Sequence, residues 1–107
     1  MDYILKRKLN HNISIEPALP QSGRGDKSYG IAQSFKCYPD GRRKLVRTVD
    51  GEEVVSVLTL YLDGTPETET IKAEDRITLW DGRTPPIISV HPFYTERGII
   101  DLVEVNL

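Results

Sequence analysis

One cysteine, one methionine, one tryptophan and two histidines in 107 residues leave little of the usual equipment for catalysis or metal binding. A single thiol, Cys37, rules out an internal disulfide, and His11 and His91 stand too far apart in the chain to read as a zinc set. This cysteine usage fits a reducing cytoplasm. No hydrophobic run approaches the roughly 20 residues of a membrane span, and the opening "MDYILKRKLN" is too short even for a secretory apolar region, so no export is expected. Neither sign of charge prevails: fourteen Lys and Arg against sixteen Asp and Glu give −2, which excludes a global pull towards nucleic acid or an anionic membrane. Any electrostatic function must be local.

Catalytic signatures are equally scarce. There is no GxSxG, no HExxH and no Gly-rich phosphate loop with its lysine. Glu52 and Glu53 form a carboxylate pair, but neighbours on a strand point to opposite faces and cannot flank one substrate bond. Neither an enzyme nor a bound cofactor or metal is expected. Arg24, Gly25 and Asp26 spell the integrin tripeptide; in so cysteine-poor a chain they read as a polar turn.

Punctuation is what the sequence has in quantity. Asp-Gly occurs at 40–41, 50–51, 63–64 and 81–82, a strong hairpin signal because type I′ turns need positive φ. Between the turns lie "NISIE", "IAQSFKCY", "RKLVRTV", "EEVVSVLTLYL", "DRITLW", "PIISVHPFY" and "GIIDLVEVNL", rich in Val, Ile, Thr and Tyr. A period of two runs through Val54, Ser56, Leu58, Leu60 and Leu62, and through Ile99, Asp101, Val103, Val105 and Leu107. After Asn10 no helical period is sustained; before it, one turn after Asp2 with Leu5 and Leu9 on one side is expected at most.

These patterns predict one all-β domain over residues 1–107: a small closed or partly open antiparallel barrel with a protruding hairpin and long loops. Residues 1–10 form an N-terminal extension. Loops are expected at 17–30, ordered on contact with a partner through Arg24, Gly25 and Asp26, and at 63–75. Trp80 and Cys37 are expected in or near the core.

The stretch "CYPDGRRKLVRTVDGEEVVS" raises a separate question, since Arg42, Arg43, Lys44 and Arg47 crowd one strand. If Asp50-Gly51 is a two-residue turn, Thr48 faces Glu53, Arg47 faces Val54 and Val46 faces Val55, with Arg47 diagonal to Glu52. Both faces of this strand mix apolar with polar residues, so neither makes a simple core. Two readings stay open: a hairpin covered by a neighbouring subunit, or an edge strand whose charges guard against aggregation.

The order "HNISIE", a Gly- and Asp-bearing loop, "IAQSFKC", "RRKLVRTVDGEEVVSVLTLYLDG", "EDRITLWDGR" and a closing "LVEVNL" resembles the head-to-tail stopper, or head-closure, proteins of tailed bacteriophages. It covers nearly the whole chain, and Arg42 to Gly64 is its most specific part. The resemblance implies a structural protein of the virion neck, assembled in the bacterial cytoplasm. It implies a homo-oligomeric ring beneath the portal and adaptor proteins that meets the tail terminator, retains packaged double-stranded DNA and makes no membrane contact. By the same resemblance, Arg42, Arg43, Lys44 and Arg47 are candidates for the channel or a subunit interface, and Gly51, Glu52 and Glu53 for the matching turn and the start of the next strand. The alternative is a small barrel binding single-stranded nucleic acid through the same strand, with Tyr38, Tyr61, Trp80, Phe93 and Tyr94 as the available aromatics, none interleaved among 42–47.

Overall fold

The computed structural model describes residues 9–20, 28–48 and 50–107. Its strands are β1 (His11–Glu16), β2 (Gln33–Asp40), β3 (Lys44–Arg47), β4 (Glu53–Ser56), β5 (Thr59–Asp63), β6 (Arg76–Thr78), β7 (Ser89–Tyr94) and β8 (Ile100–Asn106), with a one-turn helix α1 (Pro66–Glu69). Six of them form one curled antiparallel sheet in the order β6-β1-β2-β5-β8-β7, while β3 and β4 pair only with each other. The curled sheet makes a half-barrel. Among the described residues its edges are β6 and β7, so the barrel is partly open with a separate hairpin, as the strand patterns predict.

Alternation along each strand fills the concave side. Ile13 and Ile15 from β1, Cys37 from β2, Leu60 and Leu62 from β5, Ile77 from β6, and Val103 and Val105 from β8 are all buried; Ile71, Leu79 and Ile87 from the connections, and Leu107 just after β8, close the cluster. Each such aliphatic side chain contributes roughly 1.5–3 kcal/mol by leaving water. Burial pushes the Cys37 thiol up to about 11, which makes it a small core hydrophobe.

Only two of the four Asp-Gly pairs make tight loops. In each, an N–H from the Gly returns to a carbonyl three residues back: Gly51 to Thr48 at 3.0 Å and Gly82 to Leu79 at 3.0 Å. These glycines have φ of 87° and 88°, and a third at the β7–β8 turn, Gly98, which follows an arginine and donates to Thr95, is also positive at 76°. Positive φ is the requirement; aspartate is incidental. The other two pairs do different work. Asp40-Gly41 is where the chain leaves the sheet, and Gly64 lies so close to β8 that a Cβ there would stand 2.5 Å from the Asp101 carbonyl carbon.

Three further expectations are revised. The run "EEVVSVLTLYL" is two strands, broken at Val57–Leu58, because the chain passes there from the hairpin to the barrel; Val57 N–H donates to Leu107 O, and Leu107 N–H to Leu58 O. The 63–75 connection carries α1, capped by Thr65, whose hydroxyl accepts from Thr68 N–H while Thr65 N–H donates to the Thr68 hydroxyl. Trp80 is not a core residue but 42% exposed, since it sits in the tight loop that follows β6. The 17–30 connection is held at its base by Leu19 N–H to Ser28 O and Gly30 N–H to Pro17 O. Arg24, Gly25 and Asp26, like the turn expected after Asp2, lie outside the described residues.

Candidate functional site: the basic hairpin

The register of the hairpin differs by one residue from that of a two-residue turn. Lys44 stands opposite Ser56, Leu45 opposite Val55, Val46 opposite Val54, and Arg47 opposite Glu53. Thr48 N–H donates to Glu52 O at 2.9 Å, and the Thr48 hydroxyl accepts from Glu52 N–H at 3.3 Å, so three residues, 49–51, cross between the strands. The physical reason is the G1-bulge arrangement: the glycine supplies a single left-handed residue after an ordinary turn, and one extra residue enters the loop. Val49 lies outside the described residues.

Three of the four cations have carboxylate partners within the chain. Arg42 grips Asp40 through Nε at 3.1 Å and Nη2 at 2.7 Å, while its backbone N–H donates to the same carboxylate at 3.0 Å. Hydrogen bonds from the Arg42 side chain and backbone hold Asp40 down at about 2. Lys44 Nζ donates to Glu104 Oε1 at 2.9 Å, tying the base of the hairpin to β8. Arg47 faces Glu53 at 3.6 Å across the hairpin, both largely exposed. Arg43 alone has no ion pair among the described residues, and it is exposed. The basic strand is therefore largely neutralised by its own chain.

The corrected register sorts the hairpin faces. Lys44, Val46 and Thr48 with Val54 and Ser56 form the inner face, half-buried or buried. Ser56 anchors it, its hydroxyl reaching Leu58 O at 3.1 Å and Leu107 O at 3.0 Å. The outer face carries Leu45 and Val55 as a directly opposed pair, 68% and 54% exposed, with exposed Val57 beyond them. Arg47 and Glu53 rim this patch, Glu52 and Gly51 sit exposed at the tip, and Arg43 precedes Leu45 at the base. An apolar centre with a charged rim is the anatomy of a contact surface.

No family model and no curated protein matches the chain. The site thus rests on its own chemistry.

Two groupings escape sequence inspection because only the pairing of distant strands creates them. Register lines up Tyr38, Tyr61, Glu104 and His91 across β2, β5, β8 and β7 on the face away from the core. Tyr38 and Tyr61 rings lie 6.4 Å apart, and a groove of about 240 Å3 brings Tyr61 and Thr59 beside Asp40, Arg42, Arg43 and Lys44. Burial, followed by the Glu104 carboxylate, pushes the Tyr61 hydroxyl up. The next row holds a buried polar chain: Thr59 Oγ1 donates to Asn106 Oδ1 at 2.9 Å, and Asn106 Nδ2 donates to Ser89 Oγ at 3.0 Å. Phe93 and Tyr94 lie exposed on edge strand β7, far along the sheet from β2. Among the described residues no cluster of three or more His, Cys, Asp or Glu could hold a metal ion, and no helix is long and apolar enough to cross a membrane.

Proposed function

We propose that the chain is a structural, non-enzymatic subunit of the neck of a tailed bacteriophage virion. Copies form a ring below the portal and adaptor, meet the tail terminator and retain packaged DNA. The observation that carries this reading is the hairpin: two strands outside the main sheet, bearing an outward pair of apolar residues, Leu45 and Val55, that stand exposed among the described residues. A neighbouring subunit supplies the missing cover. The order of motifs from "HNISIE" to "LVEVNL" adds the family context. The internal pairing of Arg42, Lys44 and Arg47 supports protein contact for most of this strand and leaves Arg43 as the cation available to a phosphate, which it would meet without reading sequence.

The deciding experiment is electron microscopy of a host-phage lysate in which this gene carries an early stop codon, with and without the intact gene supplied separately. Heads that fill and then lose DNA, beside free tails, are expected, and complementation restores virions. Normal tailed particles without the protein would sink the proposal.

One observation favours a second reading. The Tyr38–Tyr61 pair beside Arg42 and Arg43 supplies the aromatic neighbour that single-strand binders use. That reading requires binding of a short single-stranded oligonucleotide that weakens steeply with salt and is lost in Tyr38→Ala; no binding at low salt removes it.

A further inference from the structure

The β6–β1–β2 end of the sheet carries an open, shallow groove of about 450 Å3 on the outward face, at the opposite end of β2 from the hairpin groove. Its floor follows from register: Thr78 opposes Ser14 on one side, and Ser34 opposes Ser14 on the other. Asn12, two residues back along β1, shares their face. All four side chains are neutral hydroxyls or amides, and none makes a hydrogen bond among the described residues. Trp80 forms the wall. Its indole is 42% exposed, and its orientation is set by His11, whose ring meets it edge-on at 4.5 Å. His11 is itself held by Asn10, Nδ1 to Oδ1 at 2.7 Å. The tight loop from Leu79 to Arg83 fixes the tryptophan backbone through Leu79 N–H to Arg83 O at 2.8 Å and Gly82 N–H to Leu79 O at 3.0 Å.

An exposed indole on a well-anchored loop, above a floor of unengaged neutral polar groups, selects a narrow class of ligand. Phosphates and nucleic acid require cations, and among the described residues no Lys or Arg lines the groove; on the same face Lys36 stands opposite Asn12 at its border, and Arg76, two residues before Thr78, is paired with Glu16. A purely apolar ligand would strand the floor hydroxyls and the Asn12 amide without water. A pyranose satisfies both surfaces, offering hydroxyls at its edges to the floor and a face of C–H groups to the indole. The geometry points to a binding site for a neutral saccharide, held by Trp80 on one side and by Asn12, Ser14, Ser34 and Thr78 below. The groove is open and the contacts few, so binding is weak, in the millimolar range. The inference is independent of the neck assignment, since none of these residues belongs to the hairpin.

Trp80 is the only tryptophan in the chain, so its emission reports the groove directly. The purified full chain is titrated with maltotriose, cellotriose and the trimer of N-acetylglucosamine, with inorganic phosphate and glycerol as controls, following both fluorescence and backbone amide shifts. A saturable change with at least one trisaccharide is expected, with shifts confined to residues near 10–14, 34 and 78–82. Ser14→Ala combined with Ser34→Ala, both on a solvent-facing row, should weaken binding about tenfold while the circular dichroism spectrum is unchanged. Trp80→Ala should abolish the amide shifts. No saturable change with any of the three sugars would overturn the inference, as would a response matched by phosphate or glycerol, or binding indifferent to the serine substitutions.

Discussion

Arg47 stands directly opposite Glu53 across the β3–β4 hairpin, their charged groups 3.6 Å apart and both largely exposed. So exposed a pair is worth about 0.2–1 kcal/mol and does not set the register. The loop does that, through Gly51 at φ +87°, and the register decides that Leu45 and Val55 share the outward face. The first expected outcome concerns that face. Leu45→Lys with Val55→Glu, which sets opposite charges across the pair, should leave the unfolding free energy of the isolated monomer within about 0.5 kcal/mol of the parent, since both side chains are largely in water already. Assembly, read by sedimentation velocity, should be lost. Lys44 is a poorer target, because Lys44→Glu would set a second carboxylate against Glu104.

The Asp-Gly glycines separate two kinds of cost. A Cβ on Gly51 would meet nothing within 4 Å, yet φ is positive. Gly51→Ala should therefore cost about 1 kcal/mol, and Gly51→Val more, with the loss of amide protection confined to the hairpin. At Gly64 the same added carbon meets the Asp101 backbone at 2.5–2.8 Å. Gly64→Ala should destabilise the whole barrel by about 1–3 kcal/mol in urea unfolding, since β5 and β8 must part. Equal effects at the two positions would contradict this account.

Asn106 is fully buried and links Thr59 to Ser89. Asn106→Ala opens a cavity and leaves two buried hydroxyls unpaired, for an expected loss of about 2–4 kcal/mol, measured by urea unfolding. Replacing Thr59 with Val and Ser89 with Ala in the same chain should recover part of it, because the stranded partners are then gone.

Asp40 gives a pH dependence of known sign. Arg42 holds its carboxyl at about 2 in the folded chain, against an ordinary value near 4. Whatever the pair contributes is complete above about pH 4 and is lost as the pH falls towards 2. An NMR titration should find the Asp40 midpoint near 2 and its return towards the ordinary value in Arg42→Ala.

The sequence by itself determined the fold class and most of the core. Period-two patterns around Leu60 and Leu62 and around Val103 and Val105 can bury one face only as strands, and Cys37, in the run "SFKC", falls inside as expected. It also marked the basic hairpin, since charge density is a property of composition. Loop chemistry was partly hidden: Asp-Gly signals a turn without saying whether the glycine serves positive φ, as at 51 and 82, or close approach, as at 64. Only the tertiary structure decided the rest. The outward pairing of Leu45 with Val55 depends on one extra loop residue, and a one-residue slip exchanges the two faces of a strand. The partners of Arg42 and Lys44 differ in the same way: Asp40 is a near neighbour in sequence, but Glu104 is 60 positions away. The Thr59–Asn106–Ser89 chain and the Thr78–Ser14–Ser34 row exist because distant strands lie side by side, and no local pattern encodes which strand a given residue will face.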